Sequence, residues 1–243
     1  MIISKQKYEI LDSTNKKARE LAFNSAPEGT LVIAKEQTEG RGRLGRSWES
    51  TIGEDIIMSM ILRPDIPAEN FSMLTIIAAL AVNKAIRKES GLDSKIKWPN
   101  DIVFEGKKLC GILTETSFSG RNGFAVVGIG INVNSTAFAE AISMKAGSLR
   151  QLTGRVFDTE IIIDSVWKEF GEYYEILKSD GDLRNLVEEY NSLTVNYHTP
   201  VARTDYNNEE PVSGIAMGID EKGHLIVNSD DGRKLLLYSG EIQ

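Results

Sequence analysis

The stretch Gly40-Arg-Gly-Arg-Leu-Gly-Arg-Ser-Trp48 sets three arginines among three glycines with no carboxylate between them. Glycines let a backbone wrap closely around a ligand, and guanidinium groups supply forked donors that match phosphate or carboxylate oxygens. Alone, such a run is as readily a solvated loop. Its flanks favour a site loop on a scaffold: an apolar strand at Thr30–Ala34 with Gln37 just past its end, and Trp48 after it. A second constellation is Lys97-Trp-Pro-Asn-Asp101, followed by Lys107-Lys-Leu-Cys-Gly-Ile-Leu113. Taken separately, these are an Asn-Asp turn over a packed Trp98 and a strand with Cys110 in the core. Taken together, they put Lys108, Asn100 and Asp101 on neighbouring hairpin elements, with Gly111 leaving room for a ligand. A third piece, Gly128-Ile-Gly-Ile-Asn132, places the Asn132 amide after two glycines at a strand end.

Other chemistries lack their residues. There is no P-loop, no third glycine to make Gly128-Ile-Gly130 a dinucleotide fingerprint, no Gly-x-Ser-x-Gly elbow and no His-Glu-x-x-His. Asp180-Gly-Asp182 and Asp230-Asp-Gly232 lack calcium-loop spacing and read as turns. One cysteine excludes an internal disulfide framework and multi-cysteine metal sites, and two histidines, His198 and His224, leave little for histidine chemistry. A formal net charge of −7 argues against a nucleic-acid coat or a polybasic membrane binder. The N-terminal residues show no secretory h-region, and the longest apolar run, near Ile76–Val82, is far too short to span a bilayer. A cytoplasmic protein is expected.

The elements that must hold these residues follow from periodicity and punctuation. Ser13-Thr-Asn15 caps a short helix over residues 13–25 with Ala18, Leu21 and Ala22 on one stripe. Ile56–Leu62 reads as a strand closed by Arg63-Pro64. A long helix is expected from about Asn70 to Ser90, stopped by Gly91. Short strands at Lys95–Trp98, Asp101–Phe104, Leu109–Thr116 and Phe124–Val127 are separated by turns at Pro99-Asn100, Glu105-Gly106 and Gly120 to Gly123. Such short connections make antiparallel neighbours, so the sheet is not a doubly wound parallel one. Helices are expected over 158–178 and 182–191. From residue 193 the texture changes to short strands at Pro200–Thr204, Val212–Ile219, His224–Asn228 and Lys234–Tyr238, separated by Asn207-Asn208, Glu221-Lys-Gly223 and Asp230-Asp-Gly232. That spacing suits a small β-barrel. Residues 199–243 hold eight acidic side chains against four basic ones. The expected organisation is a first domain over 1–192 and a second over 193–243.

The motif set resembles that of biotin protein ligases. Ser13-Thr-Asn15, Gln37 with the Gly/Arg loop, Lys97-Trp-Pro-Asn-Asp101, Lys108-Leu-Cys-Gly-Ile-Leu113 and Gly128-Ile-Gly-Ile-Asn132 stand in the family's order at compatible spacing across 13–132. The segment ending in Gly240-Glu-Ile242 resembles the family's C-terminal SH3-like domain. The resemblance implies an α+β fold: a mixed, largely antiparallel sheet with flanking helices of the class II synthetase type, plus the small barrel. It implies that biotin and ATP give biotinyl-5′-adenylate and pyrophosphate, and that the biotinyl group then moves to a lysine of a biotin carboxyl carrier protein.

For the site, the resemblance implies biotin contacts from Ser13, Thr14, Asn15, Gln37, Gly40, Arg41, Gly42, Arg43 and Lys108, with Gly111, Gly128 and Gly130 opening a slot for the valeryl chain. It implies adenylate contacts from Arg43, Arg46, Trp48, Asn100 and Asn132. Arg41 and Lys108 are the expected catalytic cations, and Asp101 is expected to orient the acceptor lysine. Mg²⁺ is expected on the ATP phosphates, without a protein-only metal site. The Gly/Arg loop is expected to be mobile when empty and ordered over the ligand.

Longer members carry an N-terminal DNA-binding domain. This chain begins almost at the catalytic motifs, so no repressor function and no DNA partner are expected, and members of this short form are often homodimers. Gly53-Glu-Asp55 departs from the small, glycine-rich turn that many relatives show after the lid. The chain also stops shortly after Ile242, without the arginine that many relatives place near the nucleotide. The nearest alternative is a lipoate–protein ligase. Outside that chemistry stand an RNA-binding module and a non-catalytic biotin-binding protein.

Overall fold

The computed structural model describes residues 4–119, 122–203 and 211–242. The chain runs β1 (Ser4–Leu11), α1 (Thr14–Phe23), β2 (Thr30–Gln37), β3 (Ile56–Leu62) and α2 (Met73–Ser90). It continues through β4 (Lys95–Lys97), β5 (Asp101–Phe104), β6 (Lys107–Ser119) and β7 (Asn122–Ile131). Two short helices, α3 (Glu140–Ser143) and α4 (Leu149–Thr153), precede α5 (Thr159–Asp180) and α6 (Val187–Leu193). The last strands are β8 (Pro200–Arg203), β9 (Val212–Ile219), β10 (Leu225–Ser229) and β11 (Lys234–Leu237).

The first seven strands form one sheet in the order β1-β2-β3-β7-β6-β5-β4. The β1–β2 pair is parallel and the others are antiparallel, as the short turns require. Alternation along each strand divides the side chains between two faces. Leu31, Ile33, Met58, Met60, Val127, Ile129 and Ile131 join the main core with α2 and α5. Helix α2 is buried on nearly every side, and Gly91 ends it in the left-handed region at φ 80°. On the other face, α1 sets Ala18 and Ala22 against Val32, Ile61, Phe124 and Val126. The ten-residue helix covers only part of that face, and the uncovered part carries the site.

Strand β1 has no counterpart in the sequence reading. It is an edge strand of mixed exposure, and its lysines Lys5 and Lys7 pair with acids of α5, so no apolar alternation marks it. Strands β6 and β7 are longer than expected, and Gly128 and Gly130 lie inside β7 rather than past its end. The second of the two late helices starts at Val187, not at 182. The expected turn at Gly120 to Gly123 lies partly, and that at Asn207-Asn208 wholly, outside the described residues.

The C-terminal strands form a four-stranded antiparallel sheet, β11-β10-β9-β8. Val201, Ala216, Ile219, Leu225, Val227, Leu237 and Ile242 join the same apolar cluster as the large sheet. Trp98 links the two sheets: its Nε1 donates to Gly223 O at 3.0 Å and its backbone N–H to Asn196 Oδ1 at 3.0 Å. The β4–β5 turn is thereby fixed from below. No described helix is long and apolar enough to cross a membrane.

Candidate active site

On the uncovered face, cross-strand register brings small and polar positions together. Ser59 of β3 stands opposite Gly128 of β7, which stands opposite Leu113 of β6. Gly130 of β7 stands opposite Gly111 of β6, which stands opposite Asp101 of β5. Glycines at positions 111, 128 and 130 keep this part of the sheet low, and the result is a cleft of about 940 Å³ counting its open mouth. The N-terminus of α1 closes one end, the 40–48 loop bridges the mouth, and the last residues of the chain form the far wall.

The 40–48 loop is a compact hairpin. Trp48 N–H donates to Gly40 O at 2.9 Å, Gly42 N–H to Arg46 O at 2.7 Å, and Arg41 bridges to Ser47. Leu44 and Gly45 turn the chain with φ of 58° and 73°. A Cβ on Gly40 would come 2.2 Å from Trp48 O, so this glycine serves the loop's own closure and does not line the cleft. The three arginines spread over the opening. Arg41 Nη1 lies 3.4 Å from Glu115 Oε1, Arg43 Nη1 donates to Asn100 Oδ1 at 2.7 Å, and Arg46 grips Glu241 with both terminal nitrogens. Arg46 holds the Glu241 carboxyl below its ordinary range, aided by Lys97 and Lys108.

Trp48 occupies the floor between two glycines. A Cβ on Gly130 would approach the indole to 2.4 Å and one on Gly111 to 2.9 Å. The clearance that the sequence reading assigned to an acyl chain is thus filled here by Trp48, and that at Gly128 by Asn15, whose Oδ1 would meet a Cβ at 2.1 Å. The Trp48 Nε1 is buried without a hydrogen-bond partner, an unpaired donor that a ligand acceptor could satisfy. Gly130→Ala is expected to unseat the indole and red-shift its emission, which fluorescence spectra check.

Lys108 is aimed by hydrogen bonds to its own backbone. A bulge in the β5–β6 pairing falls beside it, its N–H donates to Lys145 O at 2.7 Å, and its O accepts from Gly147 N–H at 3.1 Å. Its stem passes Gly111, its ammonium sits 5.7 Å from the centre of the Trp48 ring, and Nζ is 2.8 Å from Asp101 Oδ1. That contact is not aligned as a hydrogen bond, so the buried Asp101 Oδ1 keeps capacity for a further donor. Asn132 corrects the expectation. It does not line the cleft: it is 4% exposed, and its amide donates to Lys108 O at 3.3 Å and Gly147 O at 3.0 Å. It braces the Lys108 turn. Cys110 is fully buried, which pushes its thiol far up and removes it as a nucleophile.

The closed end is a polar network. Thr14 donates to Gln37 Oε1 from its N–H at 2.7 Å and its hydroxyl at 3.0 Å. Ser59, wholly buried, donates to Asn15 Oδ1 at 2.7 Å, and its Oγ lies 2.8 Å from Thr14 Oγ1. Ser13 lines the same end as the N-cap of α1. Sequence reasoning missed Ser59, Glu115, Lys97 and Glu241. Ser59 had a signal, a lone hydroxyl in the apolar run Ile56–Leu62. The others look like ordinary strand or tail residues.

Residues 8–132 match the biotin/lipoate A/B protein ligase family, and residues 203–243 match the biotin protein ligase C-terminal domain. The chain is 39% identical over 241 residues to the bifunctional ligase/repressor BirA of Bacillus subtilis, covering 97% of this chain and 72% of that protein. The chain belongs to the biotin protein ligase family. The biotin–[acetyl-CoA-carboxylase] ligase of Paracoccus denitrificans is 33% identical, with 93% of this chain and 94% of that one covered. The biotin protein ligase of Aquifex aeolicus in complex with biotin and ATP superposes with a TM-score of 0.87 at 28% identity, covering 100% of this chain and 98% of that one. The ligase fold explains why the tail matters: Gly240 O accepts from Arg43 Nη2 at 3.3 Å, so the small C-terminal sheet holds the lid at two arginines.

Proposed function

We propose that this cleft makes biotinyl-5′-adenylate and passes the biotinyl group to a lysine of a biotin carboxyl carrier protein. As a biotin protein ligase, the chain activates biotin with ATP and transfers it to protein. The residue roles are our reading of the geometry. Thr14, Asn15 and Gln37, with Ser13 beside them, take the ureido ring. That polar end favours biotin over a lipoyl group, whose disulfide ring offers it no hydrogen-bond partner. Gly111, Gly128 and Gly130 let Trp48 and Asn15 lie close against the sheet and floor the acyl path, and Gly42 lets the lid backbone cross it.

A biotin carboxylate oxygen attacks the α-phosphorus of ATP, and the bond to the bridging β-phosphate oxygen breaks to release pyrophosphate. Like charges must approach, so Lys108, Arg41 and Arg43 neutralise them and stabilise the charge that develops. Arg46, Trp48 and Asn100 serve the nucleotide side. Mg²⁺ would be carried on the ATP phosphates. There it would offset phosphate charge. In the second step the carrier lysine Nζ attacks the carbonyl carbon, the bond to AMP breaks, and the amine gives up a proton. Asp101, paired with Lys108, accepts from that amine.

The observation that carries this reading is the convergence of the lid arginines, Lys108 and Asp101 on one cleft with a polar closed end. The test is incubation with biotin, ATP and Mg²⁺ and detection of biotinyl-5′-adenylate by mass spectrometry. Adenylate with biotin and none with lipoate is expected, and the reverse would overturn it. The lid should also protect the mixed anhydride from water. Hydrogen exchange over 40–48 is expected to slow when biotin and ATP are added together, and unchanged exchange would remove the lid.

A further inference from the structure

We infer that Glu115 is a positioning residue for the biotin ring, which it serves by holding Asn15 and the lid residue Arg41 on one carboxylate. The inference rests on the reading of the closed end as the ureido site. Glu115 stands on β6 two residues beyond Leu113, so its side chain rises on the cleft side of the sheet. Its Oε2 accepts from Asn15 Nδ2 at 2.8 Å, and its Oε1 faces Arg41 Nη1 at 3.4 Å.

A carboxylate accepts and cannot donate, so it dictates which end of the Asn15 amide it meets. The second Asn15 N–H is taken by Leu113 O at 3.3 Å. With both protons spent, Asn15 must turn Oδ1 toward Ser59, which donates to it at 2.7 Å and also reaches Thr14 Oγ1. Thr14 gives its backbone N–H, which can only donate, to Gln37 Oε1, which leaves Gln37 Nε2 as the outward donor. Leu113 O and Thr14 N–H fix the sense of the two amides, while the Glu115 charge strengthens the Asn15 bond and ties that residue to the lid. Gly128 supports this, because any Cβ there would displace the Asn15 amide. Through Arg41, the same carboxylate ties the lid to the ring end.

The test compares wild type with Glu115→Gln and Glu115→Asp in biotin-dependent ATP–pyrophosphate exchange, varying biotin and ATP separately, with thermal unfolding of each protein. Gln keeps the shape but loses the charge that strengthens the Asn15 bond and holds Arg41; Asp keeps the charge. For Glu115→Gln the biotin KM is expected to rise about tenfold or more. The ATP KM is expected to stay within about twofold and the unfolding midpoint to hold. Glu115→Asp should recover most of the loss. A wild-type biotin KM in Glu115→Gln, or an equal rise for biotin and ATP, would overturn the inference while leaving the site reading intact. A wild-type protein that forms no adenylate would instead overturn the site reading on which it rests.

Discussion

Replacing Lys108 with alanine is expected to lower biotin-dependent ATP–pyrophosphate exchange ~10²–10³-fold, the loss that follows removal of one preorganised charged donor at a developing charge. The ammonium is placed by backbone hydrogen bonds on both sides of the residue and by the low floor at Gly111, so its removal should leave the surrounding turn in place. Biotin binding should weaken far less than turnover, because the ring end lies across the cleft at Thr14 and Gln37. Lys108→Arg is expected to recover little: the guanidinium is longer and planar, and the space beside Trp48 and Asp101 is shaped for a compact ammonium. Exchange rates with biotin and ATP varied in turn would separate the two effects. A Lys108→Ala enzyme with wild-type turnover would remove this residue from the chemistry.

Asp101→Ala should divide the two half-reactions. A free lysine with a pKa near ~10.4 is less than ~1% neutral at pH 7, so transfer needs a group that accepts its proton or holds the amine in line. Asp101 lines the cleft beside Lys108, and its buried Oδ1 has no aligned hydrogen bond. Transfer from preformed adenylate is expected to slow about 10²-fold, within the usual range for positioned proton acceptors. Adenylate formation should fall much less, since it needs no acceptor amine. Single-turnover rates for each half-reaction decide the point. Equal losses in both would assign Asp101 to the support of Lys108 rather than to transfer.

Much of the scaffold could be read from the chain because single elements carry strong local signals. Ile56–Leu62 is apolar throughout, Gly91 marks the end of α2, and the Pro99-Asn100 and Glu105-Gly106 turns force β4, β5 and β6 into antiparallel neighbours. β1 stayed hidden because an edge strand with salt-bridged lysines has no alternation to read. The Gly/Arg loop, Lys108 and Asp101 could be picked out by residue type, since their chemistry is unusual for the surface of an acidic protein. Asn132 stands out by a type that suits a ligand contact, yet here its amide is spent on Lys108 O and Gly147 O. Its role as a brace depends on the Lys145–Gly147 turn folding back against Lys108, a contact between residues far apart in sequence. Ser59 and Glu115 take their meaning from register: a hydroxyl and a carboxylate join the closed end because β3, β7 and β6 align there. Glu241 is more distant still. It reaches the lid through the packing of the small C-terminal sheet, which no local pattern announces.

The most direct measurement is the intact mass of a biotin carboxyl carrier domain after incubation with this protein, biotin, ATP and Mg²⁺, run beside reactions lacking ATP and beside the Lys108→Ala enzyme. The predicted result is one biotinyl group on the acceptor lysine in the complete wild-type reaction, none without ATP, and a strongly delayed gain with Lys108→Ala. An unmodified carrier in the complete reaction, or a biotinylated one at the same rate with Lys108→Ala, would contradict the convergence of lid and hairpin on a single adenylating site.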